Sequence, residues 1–174
     1  IRELNCHSEQ FNMLGFEPSN YNKINIHVGG AYGDKESTLN RFCENFHLLN
    51  EDTKKRLVIE NDDSPNEFSV KDLFNGVYKR IGIPITFDYF HHKFNTGGLT
   101  EEEALKLAST TWPEGVTQCC HYSESRRKEK LDESIRPQAH SDIIYNKIQT
   151  YGLSPDIVIE AKLKEQAIFK GPKM

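Results

Sequence analysis

The sequence predicts an α/β chain built as consecutive βα units of a TIM-type barrel, and three observations carry that prediction. Five short apolar runs each end on a metal-ligand residue type: Ile24-Asn25-Ile26-His27, Leu57-Val58-Ile59-Glu60, Ile85-Thr86-Phe87-Asp88, Val116-Thr117-Gln118-Cys119-Cys120-His121 and Ile157-Val158-Ile159-Glu160. The ligand positions recur at intervals of 33, 28, 33 and 39 residues, the length of one strand, one helix and two loops. Helical periodicity fills the intervals. Functional groups of a parallel barrel sit at the carboxyl ends of its strands, so five such residues are expected to converge on one mouth.

Taken in chain order, the first 16 residues, with Leu4, Phe11, Met13 and Leu14, read as a helix belonging to a preceding unit. After the first strand, Gly29-Gly30-Ala31-Tyr32-Gly33 lets backbone approach a phosphate closely, and a plain βα turn accounts for it equally well. Leu39, Phe42, Cys43, Phe46 and Leu49 form a helical stripe that packs on the strand ending at Glu60. Ser69 with Asp72 opens the next helix, Leu73, Phe74, Val77, Tyr78 and Ile81 form its buried face, and Gly82 and Pro84 stop it. Thr100 and Glu103 make a capping box before Ala104, Leu105 and Leu107. Ser141 or Asp142 caps a helix carrying Ile143, Ile144, Ile148 and Tyr151, closed by Gly152 and Pro155. The pattern alternates from residue 24 to 168 without a linker, so residues 1–174 are expected to form a single domain. Its five strands should lie parallel in sequential order as an open arc, with right-handed crossovers and helices on the outer face.

A complete barrel needs roughly 250 residues, and this chain has 174. It is therefore expected to be the carboxyl-terminal part of a TIM-barrel domain, a partial barrel of about five units, with little activity by itself. The composition, 28% charged and 36% hydrophobic, is of soluble globular type, without an apolar run near membrane-span length. Cys6, Cys43, Cys119 and Cys120 show no C-x-x-C spacing, which favours reduced thiols and a cytoplasmic, intracellular setting. The net charge of −4 opposes nucleic-acid binding through a general basic surface. A cluster of divalent ions on the acidic side chains would reverse the local field.

Carboxylates and imidazoles facing one another suit borderline divalent metals such as Zn²⁺, Mn²⁺ or Fe²⁺. Asp88 and His91, spaced i, i+3, can be presented by one turn to neighbouring ions, whereas His92 would point elsewhere. His140 can reach back over the mouth, and Glu60 is the expected bridging carboxylate. The plainer readings are that a histidine in a strand is a satisfied structural residue and that an acid at a strand end is a loop cap. His7 and His47, in helical segments, read as surface or packing residues. Arg126, Arg127, Lys128 and Lys130 form the only dense basic run, either a DNA-backbone contact or a solvated helix face.

At these residues the chain resembles the UV damage endonucleases. The resemblance rests on Lys23-Ile-Asn-Ile-His27-Val-Gly-Gly-Ala-Tyr-Gly-Asp-Lys35, Leu57-Val-Ile-Glu-Asn-Asp62, Phe87-Asp-Tyr-Phe-His-His92 and His121-Tyr-Ser123. Arg136-Pro-Gln-Ala-His140-Ser-Asp142 and Asp156-Ile-Val-Ile-Glu-Ala-Lys162 continue it in family order. It implies a βα barrel related to endonuclease IV, acting on damaged double-stranded DNA by metal-dependent incision immediately 5′ to a UV photoproduct. Carried over residue by residue, it implies up to three Mn²⁺ or Zn²⁺ ions. His27 would bind the first, Glu60 would bridge to the second, Asp88, His121 and Glu160 would hold the second, and His91 and His140 the third. Glu60, Asp88, His121 and Glu160 are the implied catalytic set. Tyr32, Arg126, Arg127 and Lys128 are the expected DNA contacts. Further histidines and the lesion-wedging residues are expected in an amino-terminal part not present in this sequence.

Two other classes compete. A metal-dependent sugar isomerase or epimerase uses related barrels with Glu, Asp and His at strand ends, but wants a small enclosed pocket and fewer metals. A non-enzymatic half-barrel would associate with another copy through its exposed edge strands.

Overall fold

The computed structural model describes residues 1–170. Five parallel strands lie in sequential order, β1 (Ile24–Ile26), β2 (Leu57–Glu60), β3 (Ile85–Asp88), β4 (Cys119–Tyr122) and β5 (Asp156–Ile159). They form the half-barrel that the residue spacing predicts. Strand length is where the reading overshot, because Val116 belongs to a turn closed by its own amide on the Pro113 carbonyl, and β4 starts only at Cys119.

Register sorts the strand residues onto two faces, since side chains alternate along a strand and register partners in a sheet share a face. Ile59 aligns with Ile85 and Phe87 with Cys120, and this set joins the large core under the helices. Asn25 aligns with Val58, Glu60 with Thr86, and Asp88 with His121, so these occupy the concave face. Beneath the ligand-type residues, Val58, Trp112 and Cys119 form a separate small core, with the Trp112 indole donating to the Ile85 carbonyl at 2.9 Å. That plug closes the amino-terminal end of the concavity and leaves the carboxyl end open.

Helices cover the convex face as expected. α1 (Arg2–Met13) precedes β1, and α2 (Lys35–Phe46) starts at Asp34, whose side chain accepts from Ser37 N at 2.9 Å. The short α3 (Glu51–Arg56) leads directly into β2. The predicted capping box forms at Thr100/Glu103 before α7 (Glu101–Ser109), and Ser69 with Asp72, the predicted helix start, makes another before α4 (Val70–Leu73). The helix begun by α4 continues through a π-helical turn, Phe74–Tyr78, into α5 (Lys79–Ile81), which ends at Gly82 with φ +72°. Gly76 lies in the π turn where a Cβ would stand 2.5 Å from Leu39 Cδ1, so a glycine lets α2 approach this closely. The four-residue α6 (Tyr89–His92) follows β3 immediately.

The predicted helix over residues 141–151 is absent. Between β4 and β5 only the five-residue α8 (Arg126–Lys130) is helical, and α9 (Gln166–Lys170) follows β5. Carboxylates have taken the amide hydrogens that a helix would direct to its own carbonyls. Glu129 accepts from Asp142 N and Ile143 N at 2.9 and 3.2 Å, and the buried Glu124 accepts from Tyr145 N and Asn146 N at 2.6 and 3.0 Å. Residues 139–142 are also held in extended form, through the Ser125–His140 bridge and Lys162 N donating to the Ser141 carbonyl at 2.9 Å. The periodic isoleucines report burial, since Ile144 is core, but not helical backbone.

Replacing Glu124 by Ala removes the acceptor for two backbone amides and for the Tyr122 hydroxyl. Hydrogen bonds to a charged group contribute about 1.5–3 kcal/mol each, but the three share one acceptor and do not add, so a loss below their sum, about 2–4 kcal/mol, is expected in urea unfolding. Amide exchange at Tyr145 and Asn146 should accelerate before that elsewhere; unchanged protection there would show that the strap is held by other contacts.

Candidate metal centre

All five strand-end residues stand at the open end of the half-barrel. Glu60 is their hub, 3% exposed. Its Oε2 accepts from Asn25 Nδ2 and lies 3.2 Å from His121 Nδ1 and 3.9 Å from His27 Nε2, while Oε1 lies 3.4 Å from His91 Nδ1. The two oxygens thus face different sets of imidazoles. Two triads of donor atoms, each within 4.8 Å, share it: His27, Glu60, His91 and Glu60, Asp88, His121. His91 therefore sits with His27, their ring centroids 5.4 Å apart, whereas the resemblance pairs it with His140.

Asp88 shows how the cap reading and the ligand reading coexist. Oδ1 caps α6 by accepting from His91 N at 2.7 Å, whereas Oδ2 is buried without a partner. Burial, the neighbouring Glu60 and Glu160 charges opposing the pull of His91, raises the Asp88 carboxyl to about 6. His121 Nδ1, also buried, lies 3.2 Å from both Glu60 Oε2 and Glu160 Oε1 but in line for a hydrogen bond with neither.

The imidazoles are aimed by their second nitrogens. His27 Nδ1 lies 2.8 Å from Asp62 Oδ1, His91 Nδ1 2.8 Å from the Asn61 carbonyl, and His140 Nδ1 3.1 Å from the Glu160 carbonyl. Donation from Nδ1 in each case leaves Nε2 as the free electron pair, the arrangement by which outer partners fix a metal-binding imidazole. Asn61 also clasps β3, its amide accepting from Asp88 N at 2.9 Å and donating to the Asp88 carbonyl at 3.1 Å. Neither Asn25, Asn61 nor Asp62 had a role in the sequence reading. The available signal was their position, Asn25 two residues before His27 on the same face and Asn61-Asp62 directly after Glu60.

Glu160 and His140 flank the two triads and touch them through His121; the His140 ring also meets the Phe90 edge at 5.6 Å. His92 is buried against Phe87, away from the mouth. His7 and His47 are exposed on their helices. Tyr32 is 93% exposed with φ +49°, held out from the loop after β1. In the basic run, Arg126 pairs with Asp142 at 3.7 Å, Arg127 with Glu133 at 3.0 Å and Lys130 with Asp142 at 2.6 Å. Among the described residues Lys128 alone of the four has no ion pair.

Electrostatically the cluster behaves as a cation trap. The Asp62 hydrogen bond, with Glu60 adding to it against the opposing effect of burial, raises His27 to about 9. Burial disfavours charge on His121, yet the neighbouring Cys119, Glu160 and Glu60 side chains lift it to about 12. Burial likewise opposes ionisation of Glu60, but His121 and the other imidazoles hold it below the ordinary carboxylate range. Protons occupy the place of positive charge that the carboxylates require.

Comparison with known proteins gives a consistent set. The protein-family model UvdE, UV-endonuclease UvdE, matches residues 1–173. The UV-damage endonuclease of Schizosaccharomyces pombe is 36% identical over 98% of this chain and 29% of its own length. The UV DNA damage endonuclease of Bacillus pumilus is 35% identical, over 98% of this chain and 53% of its own. The crystal structure of SacUVDE superposes with a TM-score of 0.78 at 36% identity, covering 95% of this chain and 53% of that one. The chain thus spans about half the length of these relatives or less.

Asp62→Ala should leave the fold intact and weaken metal binding about 10–100-fold, the usual cost of losing an outer partner of a ligating histidine. Titration calorimetry with Mn²⁺ or Zn²⁺ measures it, and unchanged affinity would make Asp62 a bystander. In the metal-free protein the His27–Asp62 pair has a raised imidazole pKa. Its stabilising contribution is complete below about 6.5 and is lost as pH rises through about 9. Asp62→Ala should flatten that part of the stability profile, whereas metal affinity should rise with pH over the same window because binding displaces protons.

Proposed function

The chain belongs to the UV-endonuclease UvdE family, and from that premise we propose that it acts in metal-dependent incision of DNA immediately 5′ to UV photoproducts. The observation that carries the metal part is the orphaned Asp88 Oδ2, buried beside Glu60 and His121. A buried carboxylate oxygen without a partner is costly, and a cation at that point removes the cost. The donor set of imidazole nitrogens and carboxylate oxygens suits Mn²⁺ or Zn²⁺. His27, Glu60 and His91 would hold one ion, and Glu60, Asp88 and His121 a second. His140 and Glu160 would serve a third.

When bound, such ions supply Lewis-acid stabilisation of the phosphate and a water acidic enough to attack it. The chain's own residues do the positioning. Glu60 belongs to both triads, Oε2 facing His121 and His27 and Oε1 facing His91, and so joins them. Asn61, through its carbonyl to His91 and its amide to Asp88, fixes one member of each triad relative to the other. Asp62 and the Glu160 carbonyl keep His27 and His140 in the tautomer that presents Nε2. Lys128 and Tyr32, exposed at the loops after β4 and β1, would meet the DNA, a reading that their exposure supports. The four thiols, unpaired in the structure, accord with a cytoplasmic protein.

Nicking of UV-irradiated plasmid, with metal content measured on the same sample, tests the reading. This chain by itself should nick little; in a full-length protein that carries it, damage-dependent nicks abolished by chelation are expected, and a metal-loaded full-length protein that treats irradiated and undamaged plasmid alike rejects lesion-directed incision. Glu60→Gln should abolish nicking and lower metal content together; near-normal nicking would remove Glu60 from the cluster. Arg127→Ala should keep the metal and lower the salt slope of DNA binding by no more than about one unit, since one phosphate contact is at stake.

A further inference from the structure

Beside the cluster, across Phe90, lies a cleft of about 430 Å³ between the loops that leave β3 and β4. The volume falls in the roughly 300–1,000 Å³ range of small-ligand sites. Its walls are of two kinds. Phe90 and Phe94, packed edge to face at 5.2 Å, and Tyr145 supply aromatic surface. Lys93, Arg127 and Lys128 supply positive charge at the rim. Arg127 is engaged by Glu133 and the Ile135 carbonyl, but Lys93 and Lys128 enter no ion pair among the described residues.

The cleft is built rather than incidental. Glu124 sits at its base, 1% exposed, with both oxygens consumed: Oε1 by the Tyr122 hydroxyl and Asn146 N, Oε2 by Tyr145 N. That carboxylate therefore spends its charge on fixing the Tyr145 wall, whose hydroxyl is anchored in turn on the Ser125 carbonyl at 3.1 Å. Phe90 is the partition, its edge 5.6 Å from the His140 ring, centroid to centroid, on the cluster side.

We propose that this cleft binds one deoxynucleotide of the DNA strand next to the phosphate held at the metal centre, with its base against Phe90, Phe94 and Tyr145 and its phosphate toward Lys93 and Lys128. Aromatic walls take any base by its face, and unpaired lysines take the phosphate as point charges. The assignment rests on the nuclease reading for what delivers the nucleotide, but binding there needs no metal and no cut.

The test uses the metal-free 174-residue chain, thymidine 5′-monophosphate as probe and calorimetry or chemical-shift titration as readout, with inorganic phosphate and 2-deoxyribose 5-phosphate alongside. The nucleotide should bind at least about fivefold more tightly than the sugar phosphate, reflecting base stacking. Phe94→Ala should weaken the nucleotide by about tenfold and leave inorganic phosphate unchanged. The exposed pair Lys93→Glu with Lys128→Glu should weaken both, and thermal melting confirms that each variant folds. Equal affinity for all three probes, or indifference to Phe94→Ala in a folded variant, overturns the cleft. So does loss of binding with Glu60→Gln alone, which would locate the probe at the cluster. Cleft binding of the nucleotide together with a metal-loaded full-length protein that never nicks irradiated plasmid rejects the nuclease reading and keeps the site; nicking by that protein without nucleotide binding does the reverse.

Discussion

The buried carboxylate of Glu60 is the constraint on which the rest of this structure depends. Taking an ionised carboxylate out of water costs several kcal/mol unless other charges and hydrogen bonds compensate. Here the compensation comes from four elements at once: Asn25 on β1, His27 just beyond it, His91 on α6 and His121 on β4. Each contact requires the parallel register. A one-residue slip of β2 would turn Ile59 into the mouth and Glu60 into the helix-packed core. Sheet register and site geometry are therefore one quantity, set by the same pairings.

The sheet divides its labour between faces. Parallel strands covered on both sides read as continuous apolar runs, and β2 and β3 begin that way, with Leu57, Val58 and Ile59 fully buried. The concave face departs from the pattern only toward its carboxyl end, where Asn25, Glu60, Asp88 and His121 replace apolar residues. Below them the Trp112 plug supplies a dry floor, so the ionic layer rests on packed side chains and opens to one side. The apolar convex face carries the stability that this layer, with its orphaned Asp88 oxygen, does not.

Strands and caps were legible because both signals are local. A run such as Leu57-Val-Ile-Glu ends in a change of polarity, and Ser69/Asp72 or Thr100/Glu103 satisfies its own helix terminus within four residues. The segment 141–151 was not legible, because what defeats the helix there is remote. Glu124 and Glu129 reach it from 13 to 22 residues away, and no window on the segment contains them. The close contact at the π turn was hidden for a similar reason, since Gly76 meets Leu39 from another helix. At the site, the ligand types showed in the sequence as the last residues of apolar runs. The partition of His91 toward His27 did not, since it depends on which carbonyl captures Nδ1, and the Asn61 carbonyl is invisible to any residue-type pattern.

The charge balance of the chain follows from the same geometry. A net charge of −4 is unfavourable for approaching DNA, and the basic run does little to offset it, because Arg126, Arg127 and Lys130 are already paired within their own loop. Positive potential at the mouth must therefore come from whatever fills the carboxylate cage. In the metal-free chain that is the protons on His27 and His121, held well above the ordinary imidazole range by Asp62, Glu60 and Glu160. Divalent ions would exchange those protons for twice the charge per site, at the one place where a phosphate can come between them. Acidic composition and nucleic-acid chemistry are then compatible, because the attractive field is concentrated at the strand ends and is not spread over the surface.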